Sequence, residues 1–194
     1  MTIGATFADP ALGAQATFRT LLDALAHPGR PYRLDDVAPR ATPPLHAPLY
    51  AAALALLDFE SPVWLDPALA GRATEDLRFH TGAPAVAEPD RAAFGLVVDA
   101  TAMPPLTAFA QGTAAFPDRS TTVLVQVDGF DPAGPWRLSG PGLAAPQTLG
   151  VNGLPSGFVD QWATNHSTFP LGVDAFCFTA DAVVGLPRTT RIEG

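Results

Sequence analysis

The stretch VDAFCFTADAVVGL, residues 173–186, holds two runs of β-forming residues, 173–178 and 182–186, with only Thr179, Ala180 and Asp181 between them. A link that short suits a hairpin and is too short for a crossover, so the two strands are expected side by side and antiparallel. Further β-type runs lie upstream at 63–65, 94–98, 121–127 and 136–138. Helical candidates at 67–77, 104–111 and 155–164 fall among them, several opened by proline, whose fixed φ suits the first helical position. Two helices come earlier. Asp9-Pro10 reads as N-cap and first helical residue, and Leu12, Phe18, Leu21, Leu22 and Leu25 follow on one face up to a stop at His27-Pro28-Gly29. The second covers about 46–57, with Leu49, Ala52, Ala53, Leu56 and Leu57 as its apolar stripe. Strands alternating with helices and closed by a hairpin predict an α/β fold, a three-layer α/β/α sandwich around a mixed sheet. No repeat or long linker interrupts the pattern, so one domain over residues 1–194 is expected.

Composition narrows the chemistry. Hydrophobic residues make up 47% of the chain and charged residues only 15%, well below the usual quarter, which favours burial of further surface in an oligomer or complex. All 11 basic side chains are arginine, and no lysine is present. That excludes a Schiff base to pyridoxal phosphate or a carbonyl substrate, and it excludes the lysine of a phosphate-binding P-loop. Phosphate binding by arginine stays open. A net charge of −8 argues against a footprint for duplex nucleic acid. The single cysteine, Cys177, allows no internal disulfide and fits a reducing compartment; with no signal peptide and no long apolar run, a cytoplasmic protein without a membrane span is expected.

Seven motifs then occur in one order: FRTLLDALAHPGRP (18–31), LLDFESPVWL (56–65), LRFHTGAP (77–84), GTAAFPDRSTTVLVQV (112–127), LSGPG (138–142), FPLGVDAF (169–176) and LPRTTRIE (186–193). Together, over nearly the whole chain, they resemble the PhnH family, the H subunit of the bacterial carbon-phosphorus lyase system. The resemblance implies a homodimer that works with G-, I- and J-type subunits in phosphonate breakdown. It implies a core complex that joins a phosphonate to the ribose of a nucleoside triphosphate, leaving a ribose 1-phosphonate 5-triphosphate, in which this subunit is inactive by itself. It also implies a fold like that of pyridoxal-phosphate-dependent transferases without the cofactor site; the missing lysine points independently to the loss of that cofactor, though not to the fold.

Several residues are candidates for anion chemistry. Arg188, with Thr189 and Thr190 just past a predicted buried strand, could grip a phosphate or phosphonate through a guanidinium, hydroxyls and free backbone N–H groups; the alternative is a chain-end cap or a pair with Asp174. His80 follows Arg78 at i, i+2, so if 77–81 is extended both point to one side, placing a cation beside a catalytic imidazole; a polar strand face is the alternative. Arg30, with His27 and Gly29, closes the first helix, where capping and the helix dipole account for it without a ligand. Gly140-Pro141-Gly142 reads as a tight turn rather than a phosphate loop. His27, His46, His80 and His166 lack the close spacing of a zinc site, so neither metal nor other cofactor is expected. A free-standing enzyme with an arginine-lined phosphate pocket and a purely structural scaffold are the competing readings.

Overall fold

Helix α1 (Pro10–Ala26) forms where the sequence predicts it: Asp9 accepts from the N–H groups of Ala11 and Leu12 at 3.0 Å, Pro10 supplies the first helical residue, and Gly29 takes φ 79° just after the end. The computed structural model describes residues 5–34, 36 and 38–194. Its further elements are β1 (Tyr32–Arg33), α2 (Ala47–Leu56), β2 (Val63–Leu65), α3 (Arg72–Thr81), β3 (Ala85–Val86), β4 (Phe94–Val97), β5 (Thr122–Gln126), β6 (Gly129–Ser139), β7 (Gln147–Asn152), α4 (Phe158–Ser167), β8 (Asp174–Phe178), β9 (Ala182–Leu186) and β10 (Arg191–Glu193).

Seven strands make one mixed sheet in the order β1-β9-β8-β5-β4-β2-β3. Strands β2, β3, β4, β5 and β8 run parallel; β9 turns back against β8 as the expected hairpin, with Phe178 opposite Val183, and β1 is antiparallel to β9. Period-two alternation divides the sheet's side chains between two cores. Val63, Leu96, Leu124, Phe176 and Val183 meet α1, α2 and α3 on one face, and Val97, Val123, Val125, Cys177 and Val184 meet the other layer. That layer is only partly helical: α4 shares it with a second, three-stranded sheet, β10-β6-β7, whose Trp136 stacks on Phe158 of α4 at 5.7 Å. The third layer of the expected sandwich is thus half β.

Three local expectations change. Residues 77–81 are helical, because Asp66 ties up the preceding chain through Ala68 N–H at 2.8 Å, and α3 starts only after Gly71 and ends at a left-handed Gly82. Residues 104–111 keep a single helical turn, Leu106–Ala108, since Leu106 N–H donates to Gln161 of α4 and Phe109 lies under Gly95, where a Cβ would come within 2.7 Å of the ring. Helix α1 buries Thr17, Leu21 and Ala24 and leaves Leu12, Phe18 and Leu22 exposed. Close approach selects that face: Gly185 of β9 lies against the Ala24 backbone, with room for no Cβ.

Candidate functional site

The parallel strands have an amino edge and a carboxyl edge, and polar side chains gather at both. At the amino edge, Arg188 follows β9 and meets Asp174 at the start of β8. Its Nε donates to Asp174 Oδ1 at 3.1 Å and its Nη2 to Oδ2 at 2.5 Å. Nη2 also donates to Ser120 Oγ, and Nη1 to the carbonyls of Pro117 and Pro170 at 3.0 and 3.3 Å. A guanidinium has five N–H donors, and all five have acceptors here. Arg188 is therefore a clamp across three loops, the pairing with Asp174 that stood as the alternative to anion binding. Thr189 lies half-buried in the same turn, closed by Thr190 N–H to Pro187 O at 2.8 Å.

The other expected anion ligands lie elsewhere. Arg78 stands on α3 beside a small apolar hollow lined by Leu57, Val63 and Ala83, at the β2–β3 end of the sheet. His80, two residues on, is about 200° around the helix from it rather than on the same side, and it meets the edge of the Phe79 ring. Arg30 lies over the Tyr32 ring at 5.2 Å, at the β1–β9 end, where His27 Nδ1 shares a 3.0 Å hydrogen bond with the Tyr32 hydroxyl. Arg30 and Arg78 are thus separated by the intervening strands, roughly 20 Å at about 4.8 Å per strand. Gly140-Pro141-Gly142 is the expected tight turn: a Cβ on Gly142 would strike the Ala26 carbonyl. Cys177 is fully buried, and burial pushes its thiol up to about 12.

The carboxyl edge holds an open polar cavity of about 300 Å³ between the ends of β4 and β5, lined by His46, Val98, Asp99, Ala100, Thr101, Gln126, Val127, Asp128 and Gly153. Its frame is built from buried polar groups. Asp66, at the end of β2, accepts from the N–H groups of Val98 and Asp99 at 3.0 and 2.8 Å, fixing the turn that carries Asp99. Gln126, buried at the end of β5, accepts from His46 N–H at 2.6 Å and donates to Pro44 O at 3.1 Å, which holds the start of α2 over the strand. Gly153, at φ 95°, lies against the Asp128 carboxylate, where a Cβ would come within 2.9 Å of Oδ2.

Within that frame the functional groups are exposed or unpaired. Asp99 and Asp128 are exposed at the rim. The Thr101 hydroxyl, at 2.6 Å, and its N–H hold the Asp99 carboxyl below the usual carboxylate range. Helix α2 begins at His46 with no side-chain cap. His46 Nδ1 is buried with no hydrogen-bond partner among the described residues, a cost of about 1–3 kcal/mol. No arginine lines the cavity, and among the described residues no group of three or more His, Cys, Asp or Glu side chains is placed to hold a metal ion. The carboxyl edge of a parallel sheet is where open α/β folds bind ligands. In the sequence only Val97-Val98-Asp99 and Gln126-Val127-Asp128, each an acid two residues past the end of a buried strand, could have signalled it.

Comparison with known proteins identifies relatives over nearly the full length. Residues 5–193 match the family model described as bacterial phosphonate metabolism protein (PhnH). The alpha-D-ribose 1-methylphosphonate 5-triphosphate synthase subunit PhnH of Rhizobium meliloti (strain 1021) is 41% identical over 189 residues, covering 96% of this chain and 94% of the relative. HtxG of Stutzerimonas stutzeri, provisionally named a C-P lyase subunit protein, is 32% identical over 182 residues, covering 92% of this chain and 85% of the relative.

Proposed function

The chain belongs to the PhnH family, and from that premise we propose that it is the H-type subunit of a carbon-phosphorus lyase core complex in organic phosphonate catabolism. The match over residues 5–193 carries this reading. In it, the subunit supports formation of a ribose 1-phosphonate 5-triphosphate from a nucleoside triphosphate and a phosphonate, a transferase reaction of the assembled complex. It does so as one domain over residues 1–194, in the cytoplasm, as a homodimer that meets G-, I- and J-type partners. Among the described residues no helix is long and apolar enough to cross a membrane.

The surface supports a subunit role. Leu12, Phe18 and Leu22 on α1, Phe79 on α3 and Phe59 after α2 stand 45–74% exposed, apolar area of the kind that interfaces cover. We place the fold, on family grounds, with the pyridoxal-phosphate-dependent transferases, working without that cofactor because no lysine can form its aldimine. The dispersal of Arg188, Arg78, Arg30, Thr189 and His80 speaks against the free-standing enzyme with an arginine-lined pocket. Co-purification from the native host, followed by assay with ATP and methylphosphonate, tests the reading. Both substrates should be consumed only when partner subunits are present; turnover by the isolated chain would transfer the reading to the free-standing enzyme.

A further inference from the structure

We propose that the β3 edge of the main sheet is a docking groove for an extended segment of a partner chain, one that sets a branched aliphatic side chain in the hollow beside α3 and a carboxylate against Arg78. The sheet order leaves β3 at its end, bonded to β2 alone among the described strands. Val63 of β2 stands opposite Ala85 and donates its N–H to Pro84 O at 2.9 Å. In a parallel pair a residue bonds the two neighbours of its register partner, so the N–H and C=O of Ala85 itself turn outward to the open edge. Ala85 is exposed, and a strand laid alongside can take up both groups. Register then decides what that strand meets. Residues opposite each other in neighbouring strands point to one face, and Ala85 lines the hollow with Val63, Leu65 and Leu77, so the side chain opposite it enters the same space. The hollow measures about 60 Å³, room for one aliphatic side chain and well below the roughly 300–1,000 Å³ of small-molecule pockets. Its two hydroxyls, Thr74 and Thr81, already donate to the Leu69 and Leu77 carbonyls, which leaves mainly apolar contact for an occupant. Arg78 lines the same hollow, exposed, and its guanidinium has no ion pair or hydrogen bond among the described residues. A carboxylate two positions from the aliphatic anchor shares its face and suits that cation. Phe59, beside Gly82, and Phe79, next to Arg78, add exposed apolar area that a protein segment covers and a small molecule does not. Because β3 is two residues long and follows Pro84, the backbone ladder is short, and the anchor and the carboxylate carry the selectivity.

That the segment belongs to a subunit of the same complex rests on the proposed function; the chemistry of the groove rests on the surface alone. The test places a photo-crosslinking residue at exposed Ala87, just past β3, in the full chain expressed in its native host, and identifies the attached segment by mass spectrometry. That segment should come from a co-purifying partner chain and carry Leu, Ile or Val with Asp or Glu two positions away. Amide exchange at Ala85 should slow at least tenfold in the assembled complex relative to the isolated chain. Arg78→Glu should cut the crosslink yield at least tenfold, as should Ala85→Leu, which fills the hollow from the chain's own side. Arg78→Lys should keep most of the yield, and Arg137→Glu on β6 should leave it unchanged. A crosslink to a second copy of this chain, to a segment without that pattern, or to nothing in an assembled complex would overturn the inference, as would a yield that Arg78→Glu leaves intact. Activity of the assembled complex alongside any of those results would leave the proposed function standing. A patterned, Arg78-dependent crosslink to a protein with no part in phosphonate turnover would keep the groove and remove the proposed function. A chain that co-purifies with nothing would remove both.

Discussion

The two edges of the parallel sheet use the same kinds of residue to opposite ends. At the amino edge, Arg188 and Asp174 are mostly buried, and every guanidinium N–H meets an acceptor within the chain. At the carboxyl edge, Asp66 and Gln126 are engaged too, but they serve to position groups with fewer partners: Asp99, bonded to Thr101, Asp128, and His46, whose Nδ1 has no partner among the described residues. A charged side chain after a buried strand is therefore not informative until its partners are counted. The saturated group holds loops together; the exposed group, on a saturated support, is available to a ligand.

If that contrast is right, its largest consequence is at the clamp. Arg188→Ala strips Asp174 of its partner in a mostly buried site and should lower stability by about 3–5 kcal/mol in urea unfolding. Arg188→Lys should lose most of the same amount, because an ammonium cannot reproduce the two-toothed bond. A loss below 1 kcal/mol in both would remove the distinction between the edges.

The buried interior between them, Cys177 on β8 and Tyr50 on α2, gives a baseline that favours neither. Burial pushes Cys177 up to about 12, and burial together with the Asp76 charge pushes Tyr50 there as well. Both groups are uncharged when protonated, and folding raises both values, so their contribution is complete below the unfolded values near 9 and 10 and fades as pH climbs toward 12. Stability at pH 10.5 should be about 3 kcal/mol below that at pH 8, and Cys177→Ala should flatten the early part of the decline. Thiol reagents should meanwhile leave Cys177 of the folded chain unmodified at pH 8.

Smaller effects sharpen the carboxyl edge. Gln126→Ala leaves His46 N–H and Pro44 O without their partner and should cost about 1–2 kcal/mol, with loss of whatever binding the cavity has. Asp99→Asn and Asp128→Asn, at exposed positions, should change stability by under about 0.5 kcal/mol. A melting series would check both, and large destabilisation by the aspartate variants would make the carboxyl edge a second clamp.

Most of the sheet was legible in the sequence because its strands are continuous apolar runs: 121–127 and 173–178 could be little else, and the three residues after Phe178 dictated a hairpin. The second sheet was not, since Pro132, Gly134 and Pro135 break the pattern of β6 where its register against β7 shifts. Residues 77–81 misled because RFH alternates in polarity like a strand, while the decisive glycines at 71 and 82 act only through backbone angles. Arg188 stood out as a cation in a threonine-rich turn, and nothing local reveals that Pro117 and Ser120 supply acceptors some seventy positions away. The cavity was invisible for the same reason: His46, Asp99, Asp128 and Gly153 are joined only by the sheet order.

Those long separations also set an order of events in time. Arg188 bonds partners 14, 18, 68 and 71 positions away, so its bonds can close only after β5, β8 and β9 are aligned. Bonds that span such separations are rewarded only once the closure entropy of the loops between them has been met. If the clamp closes after the folding barrier, Arg188→Ala should speed unfolding and leave the folding rate unchanged, and the clamp then sets the interval during which a subunit with several exposed apolar faces can wait for its partners.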